Sequence, residues 1–223
     1  GLGNPGSRYD DTRHNVGFLV VDRLARRCGV GCDRKQFGAL VDKVAYGAEP
    51  AVLVKPQTFM NLSGQAAASL RGFYKVGLED IVVIHDDVDL PFGQVRVKCG
   101  GGHGGHNGLR DLQAKLGANN FTRVRFGVSR PPEGSDTAEY VLGKWTSTEA
   151  DILDQLVERA ADAVELIAMD GVVAAMNRVN AEARGKRAPR RELETQDKHP
   201  EAAADQARDS GTPGSANSQQ GEI

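Results

Sequence analysis

Residues 81–87 read Ile81-Val82-Val83-Ile84-His85-Asp86-Asp87, four apolar residues in a row that stop at three polar ones. A short apolar run without alternation suits a strand buried on both faces, with the polar cluster at its carboxyl end. Working outward, strand and helix patterns alternate. Val16 to Arg27 carries Val16, Leu19, Val20 and Leu24 at helical spacing, and Ser63 to Tyr74 reads as a helix with a small-residue face. Leu40 to Tyr46 and Ala51 to Lys55 read as short strands joined by the turn residues Gly47-Ala48-Glu49-Pro50. Gln94 to Lys98 and Thr122 to Val128 read as further strands, Gly108 to Leu116 as a helix, and Glu149 to Met169 as a long amphipathic one. This order predicts a single α/β domain over residues 1–184, with a mixed, twisted sheet sandwiched by helices in three layers. Such sheets bind ligands beyond the carboxyl ends of their strands, which is where Asp86 stands.

The chain has 223 residues, 39% of them hydrophobic and 26% charged, enough for one sizeable core. The formal net charge of −2 announces no polyanionic partner, so any nucleic-acid surface must be local. Three cysteines, Cys28, Cys32 and Cys99, are too few and too scattered for a disulfide framework. They suit a reducing compartment, and with no apolar run of membrane length a cytoplasmic protein is expected. From Gly185 to Ile223 the only large apolar residues are Leu193 and Ile223, so residues 185–223 are expected to form a disordered tail.

Five segments carry the chemistry: Gly1-Leu2-Gly3-Asn4-Pro5-Gly6, Arg13-His14-Asn15, Phe59-Met60-Asn61-Leu62-Ser63-Gly64, His85-Asp86-Asp87-Val88-Asp89, and Gly100 to Gly108, which sets six glycines around His103, His106 and Asn107. Each alone has a plainer reading: a turn, a surface histidine, a helix cap, a flexible loop. No G-x-S-x-G elbow is present, and nothing in the sequence activates Cys99. His85, Asp86, His103 and His106 are metal-ligand types, but His103-x-x-His106 on a glycine loop lacks the helical i, i+4 spacing of a zincin. What remains is a histidine, a carboxylate and amides, a set that suits water activation: histidine as base, carboxylate as its orienter, amides on the oxyanion. From Arg96 to Arg130 there are seven basic residues against one acid, Asp111, so the balanced total conceals a basic region beside the glycine loop. A solvated face is the plain reading, and a phosphate-binding face the sharper one.

Taken together, the motifs Gly-Leu-Gly-Asn-Pro-Gly, Thr-Arg-His-Asn, Thr-Phe-Met-Asn-Leu-Ser-Gly, His-Asp-Asp-Val-Asp-Leu-Pro and Gly-Gly-Gly-His-Gly-Gly-His-Asn-Gly resemble the bacterial-type peptidyl-tRNA hydrolase family from Gly1 to about Ala183. The resemblance implies cleavage of the ester between a peptide and the terminal ribose of tRNA, without metal or other cofactor, by a monomer. It implies His14 as general base, Asp86 as the carboxylate that keeps it basic and oriented, and Asn4 as the discriminator of blocked from free aminoacyl-tRNA. It assigns Tyr9, Phe59, Asn61 and Asn107 to contacts with the tRNA end or the peptide, and Met60 and His106 to the lining of the cleft. It assigns Lys98 and Arg125 to a clamp on a tRNA phosphate. It also implies a short central strand ahead of Gly-Leu-Gly, which this sequence lacks. The rivals are an RNA-binding module without turnover, a metal-dependent hydrolase and a general esterase.

Overall fold

The computed structural model describes residues 1–185. Of the expected tail, 185–223, Gly185 closes the last helix and residues 186–223 lie outside the described residues. In chain order the elements are α1 (Val16–Arg27), β1 (Arg34–Gln36), β2 (Ala39–Tyr46), β3 (Glu49–Pro56), α2 (Ser63–Tyr74), β4 (Val82–Asp87), β5 (Val95–Cys99), α3 (Asn107–Leu116), β6 (Thr122–Gly127), α4 (Thr137–Val141), α5 (Ser147–Asp170) and α6 (Val172–Gly185). Single 3-10 turns, Arg13–Asn15 and Met60–Leu62, lead into α1 and α2.

The strands form two three-stranded sheets rather than one. One is an antiparallel meander, β1-β2-β3. The other is mixed: β4 and β5 both pair with β6, parallel and antiparallel respectively. The start of the chain lies between them. The Gly1 nitrogen donates to the Val54 carbonyl at the edge strand β3, and the Leu2 N–H donates to the Ile84 carbonyl at the edge strand β4, both at 2.9 Å.

Strand β4 is buried on both faces, as its apolar run predicts. Val83 packs with Leu109, Leu112 and Phe121 on the α3 side. Ile84 packs on the other side with Val20 and Leu24 of α1 and Leu156 and Val157 of α5. Helices therefore cover both faces of the β4-β6-β5 sheet, which makes the three layers. The strand also runs further than its apolar residues. It pairs residue for residue with β6 as far as Asp87↔Gly127, so His85 and Asp86 are strand residues and not a loop. Asp86 is tolerated there because its carboxylate finds partners, and His85 bonds through Nδ1 while its Nε2 is left without one.

Local chemistry accounts for the helix ends. Thr146 and Glu149 form a reciprocal capping box at the start of α5. Helix α3 ends at Gly117 in the left-handed conformation, φ 68°. Helix α6, the short strand β1 and the single-turn α4 were not among the sequence-based expectations; the first follows α5 after only Gly171 and continues its apolar pattern.

Candidate active site

His14 sits in the 3-10 turn ahead of α1, and both of its neighbours are anchored. The Arg13 guanidinium pairs with Glu149 at 2.6 Å, donates to the Lys144 carbonyl at 2.9 Å, and lies 4.4 Å from the Tyr140 ring centroid. Asn15 exchanges two hydrogen bonds with the backbone of Asn4: the Asn4 N–H donates to Asn15 Oδ1 at 2.8 Å, and Asn15 Nδ2 donates to the Asn4 carbonyl at 2.9 Å. One turn on, Gly17 lets α1 touch the first residues and β4. A Cβ there would stand 2.4 Å from Leu2 backbone atoms and 2.6 Å from the Ile84 carbonyl oxygen. That close approach brings His14 over the end of β4.

There the His14 Nδ1 meets Asp86 Oδ1 at 2.8 Å. The two residues are only 8% and 3% exposed. Burial by itself would raise the carboxyl's pKa, but the charges and hydrogen bonds of His14 and His106 hold it far below the usual carboxylate range. Burial likewise pulls the His14 pKa down, and the Asp86 charge and hydrogen bond outweigh it, so the net shift is upward. An ionised carboxylate only accepts, so Nδ1 carries the proton and Nε2 keeps a free lone pair.

His106 approaches the same atom from the other side, its Nε2 3.0 Å from Asp86 Oδ1. Its tautomer is fixed by a second set of bonds. It is the N-cap of α3, and its Nδ1 accepts from the backbone N–H groups of Gly108 at 3.1 Å and Leu109 at 3.3 Å. Nδ1 is therefore unprotonated, and Nε2 donates to Asp86. His85, 2% exposed, points its Nδ1 to the Asp86 carbonyl at 2.7 Å, and burial lowers its pKa to about 3. It stays neutral.

Beside this pair opens a cleft of about 1220 Å³. His14 and Asp86 line it together with Asn4, Phe59, Met60, Asn61, His106 and Asn107. Lys98 and Arg125 line it too. Tyr9 does not, but it packs edge-on against Phe59, ring centroids 6.5 Å apart, and Phe59 is 58% exposed. Asn4 Oδ1 accepts from the Met60 N–H at 2.7 Å, which fixes the amide and leaves its Nδ2 as the donor. Asn61 and Asn107 stand exposed at the starts of neighbouring helices, and Asn107 Oδ1 accepts from Arg110 at 2.9 Å. A latch holds those helices together: Asp111 Oδ2 of α3 accepts from the Gly64 N–H of α2 at 2.7 Å. A Cβ on Gly64 would come 2.4 Å from the Asp111 carbonyl oxygen.

Four of the seven residues of the basic region share one sheet face; Arg110 and Lys115 lie on α3 and Arg130 beyond β6. Arg96 lies opposite Arg125 and Lys98 opposite Arg123 in the β5–β6 register, so alternation puts all four on the same face. Like charges directly opposite cost stability. Arg125 is offset by Asp87, Nε to Oδ2 2.6 Å, while Lys98 is exposed with no carboxylate bonded to it among the described residues. Arg123 departs from the expectation of a solvent-facing cation: it is 3% exposed, bonded to the glycine-loop carbonyls at the wall of the cleft.

Among the described residues one set of potential metal ligands converges, His14, Asp86 and His106. His103 does not join it; its Nδ1 accepts from Gly105 N–H at 3.1 Å within the loop. The donor set fits a metal poorly. Ligation through His106 Nε2 would require a proton on Nδ1, where two backbone N–H groups already point.

Arg13, Asn15, His85, Asp111 and Arg123 complete the surroundings; the sequence raised His85 only as a metal-ligand type, and singled out none of the other four as site residues. Arg13 and Asn15 flank His14 in its motif, and Asp111 is the lone acid of the basic region; those were the available signals.

The chain matches the peptidyl-tRNA hydrolase family model over residues 1–188. It is 48% identical over 181 residues to a peptidyl-tRNA hydrolase of Geobacter sp. (strain M21), covering 81% of this chain and 96% of that one. It is equally 48% identical over 184 residues to one of Anaeromyxobacter sp. (strain K), covering 82% and 96%. The crystal structure of peptidyl-tRNA hydrolase from Acinetobacter baumannii is similar with a TM-score of 0.76 at 39% identity, over 81% of this chain and 92% of that one. No helix among the described residues is long and apolar enough to cross a membrane. With the family model matching the whole described body, the chain belongs to the peptidyl-tRNA hydrolase family.

Proposed function

We propose that the chain hydrolyses the ester of peptidyl-tRNA, with His14 as general base and no metal. Family membership supports the reaction. The observation that carries the mechanism is the 2.8 Å contact of His14 Nδ1 with Asp86, which leaves Nε2 as a lone pair at a cleft. A water bound there gives a proton to Nε2, and its oxygen attacks the ester carbonyl carbon. The ester C–O bond to ribose then breaks. The imidazolium returns the proton to the departing ribose oxygen, releasing a peptide carboxylic acid, which ionises, and tRNA with a free hydroxyl.

The other residues take roles that suit their positions. Asp86 orients His14 and stabilises its imidazolium. Asn61 is within the cleft as a donor to the oxyanion, and Asn107 holds the water or the peptide. Asn4 Nδ2 donates to the blocked amino end, and discriminates it from a free ammonium, which a donor repels. Phe59, with Tyr9 behind it, and Met60 offer apolar contact. Lys98 and Arg125 supply charge for a tRNA phosphate. The fixed tautomer of His106 supports metal independence. All these groups come from one chain, which supports action as a monomer, and the free cysteines and the substrate class support a cytoplasmic site.

The test is release of tRNA from an N-acetyl-aminoacyl-tRNA by protein treated with EDTA, with the unblocked aminoacyl-tRNA and a small ester as controls. Rapid release from the blocked substrate alone is expected. Tight tRNA binding without turnover would favour a binding module, loss of activity on chelation a metal enzyme, and equal cleavage of the small ester a general esterase.

A further inference from the structure

Arg123 is one of the most buried charged side chains of the described residues, at 3% exposure, and none of its bonds goes to a carboxylate. Its Nη1 donates to the Gly102 carbonyl at 2.6 Å and its Nη2 to the Gly101 carbonyl at 2.5 Å. The guanidinium carbon lies 4.9 Å from the centroid of the Phe121 ring, a cation–π contact that fixes the plane of the fork. Gln113 of α3 donates to the same Gly101 carbonyl at 3.0 Å. Burial, and then repulsion from Arg125, pulls the Arg123 pKa below the ordinary arginine value, so the fold carries this charge at a cost.

The segment it grips would be loose without it. Gly101, Gly104 and Gly105 all adopt positive φ, and from Gly100 to His106 only the two histidines carry side chains. Yet this loop delivers His106 to Asp86 and Asn107 to the cleft, with two short-range bonds around His103 in between: its carbonyl accepts from the His106 N–H at 2.9 Å and its Nδ1 from the Gly105 N–H at 3.1 Å.

We propose that Arg123 is a positioning residue: by bridging two successive carbonyls of the glycine loop it sets where His106 and Asn107 stand. It would act on the reaction through them and not by touching substrate. This rests on the proposed hydrolysis.

Arg123→Met keeps the apolar stem and removes the fork. With N-acetyl-aminoacyl-tRNA, kcat is expected to fall about 10- to 100-fold while KM changes little, because misplacement by about 1 Å costs on that order. The His106 Nε2 proton, followed by NMR, is expected to exchange faster than in wild type. Arg123→Lys, which keeps one donor, should recover part of kcat. An unchanged kcat overturns the proposal, as does a lowered kcat with an unaltered His106 signal. A loss confined to KM, with the salt dependence of binding reduced by about one ion, also overturns it by making Arg123 a phosphate contact. If Arg123→Met does not fold, Gln113→Ala loosens the same carbonyl, and kcat must fall in the same direction or the proposal fails. Wild-type protein that releases no tRNA removes the hydrolase reading itself; an active wild type with an indifferent Arg123 removes only this one.

Discussion

His14 and His106 share one oxygen: both imidazoles donate to Asp86 Oδ1, at 2.8 and 3.0 Å. The carboxylate charge is thus divided between a base and a fixed neutral donor. Removing His106 returns that charge to His14 and raises its pKa further. In His106→Ala the acid limb of the kcat/KM profile should therefore move to higher pH. Asp86→Asn acts oppositely: burial then prevails, the acid limb moves down, and the rate falls by about 10²–10⁴-fold because the oriented tautomer is lost. A pH–rate series on the two variants checks both signs.

The same pair makes stability and activity run in opposite directions with pH. The Asp86 pKa is depressed by folding, so its contribution is present above the unfolded value of about 3.9 and is lost as pH falls through the folded pKa. The His14 pKa is raised, so its contribution is complete below about 6.5 and is lost as pH rises through the folded pKa. The ion pair stabilises most between these limits, where His14 is protonated and cannot act as base. His14→Gln should cost more stability at pH 5.5 than at 8.5 in urea denaturation, about 1.5–3 kcal/mol at the lower pH. Equal costs at both would contradict the pairing.

The sequence made the sheet legible through β4, whose apolar run identified a strand buried on both faces. It could not show that the strand continues through Asp86, because a carboxylate is tolerated inside a sheet only by partners that arrive from distant segments, here residues 14 and 106. All the expected site residues except Tyr9 line a single cleft; dense motifs carried most of them, whereas Lys98 and Arg125 were expected only from the resemblance, at isolated positions. The residues that sequence left out act through bonds 20 or more positions away in several cases: Arg13 on Glu149, Asp111 on Gly64, Arg123 on Gly101. Composition alone placed Arg123 with the solvent-facing cations. Only its burial and its bonds to the loop carbonyls reassign it.

The latch between α2 and α3 has its own consequence. Gly64→Ala drives a Cβ into backbone at 2.4 Å, so the helices must part. Overpacking of this kind costs about 1–3 kcal/mol. Thermal unfolding should show that loss, and kcat should fall with it because Asn61 and Asn107 separate. Asp111→Ala, which removes the acceptor at the start of α2, should move both quantities the same way by less.

Lys98 is expected to contribute to binding and little to chemistry. Lys98→Ala should raise KM for N-acetyl-aminoacyl-tRNA, leave kcat near wild type, and lower the salt slope of binding by about one. Arg125→Ala should do the same and also cost stability, since it strips Asp87 of its 2.6 Å partner. A fall in kcat alone for Lys98→Ala would contradict the phosphate-clamp role.

The account rests on His14 as the base. The most direct measurement is single-turnover release of tRNA from N-acetyl-aminoacyl-tRNA by His14→Ala against wild type at pH 8. A rate lower by about 10²–10⁴-fold, with substrate binding retained, is the predicted result. Release at close to the wild-type rate would contradict it.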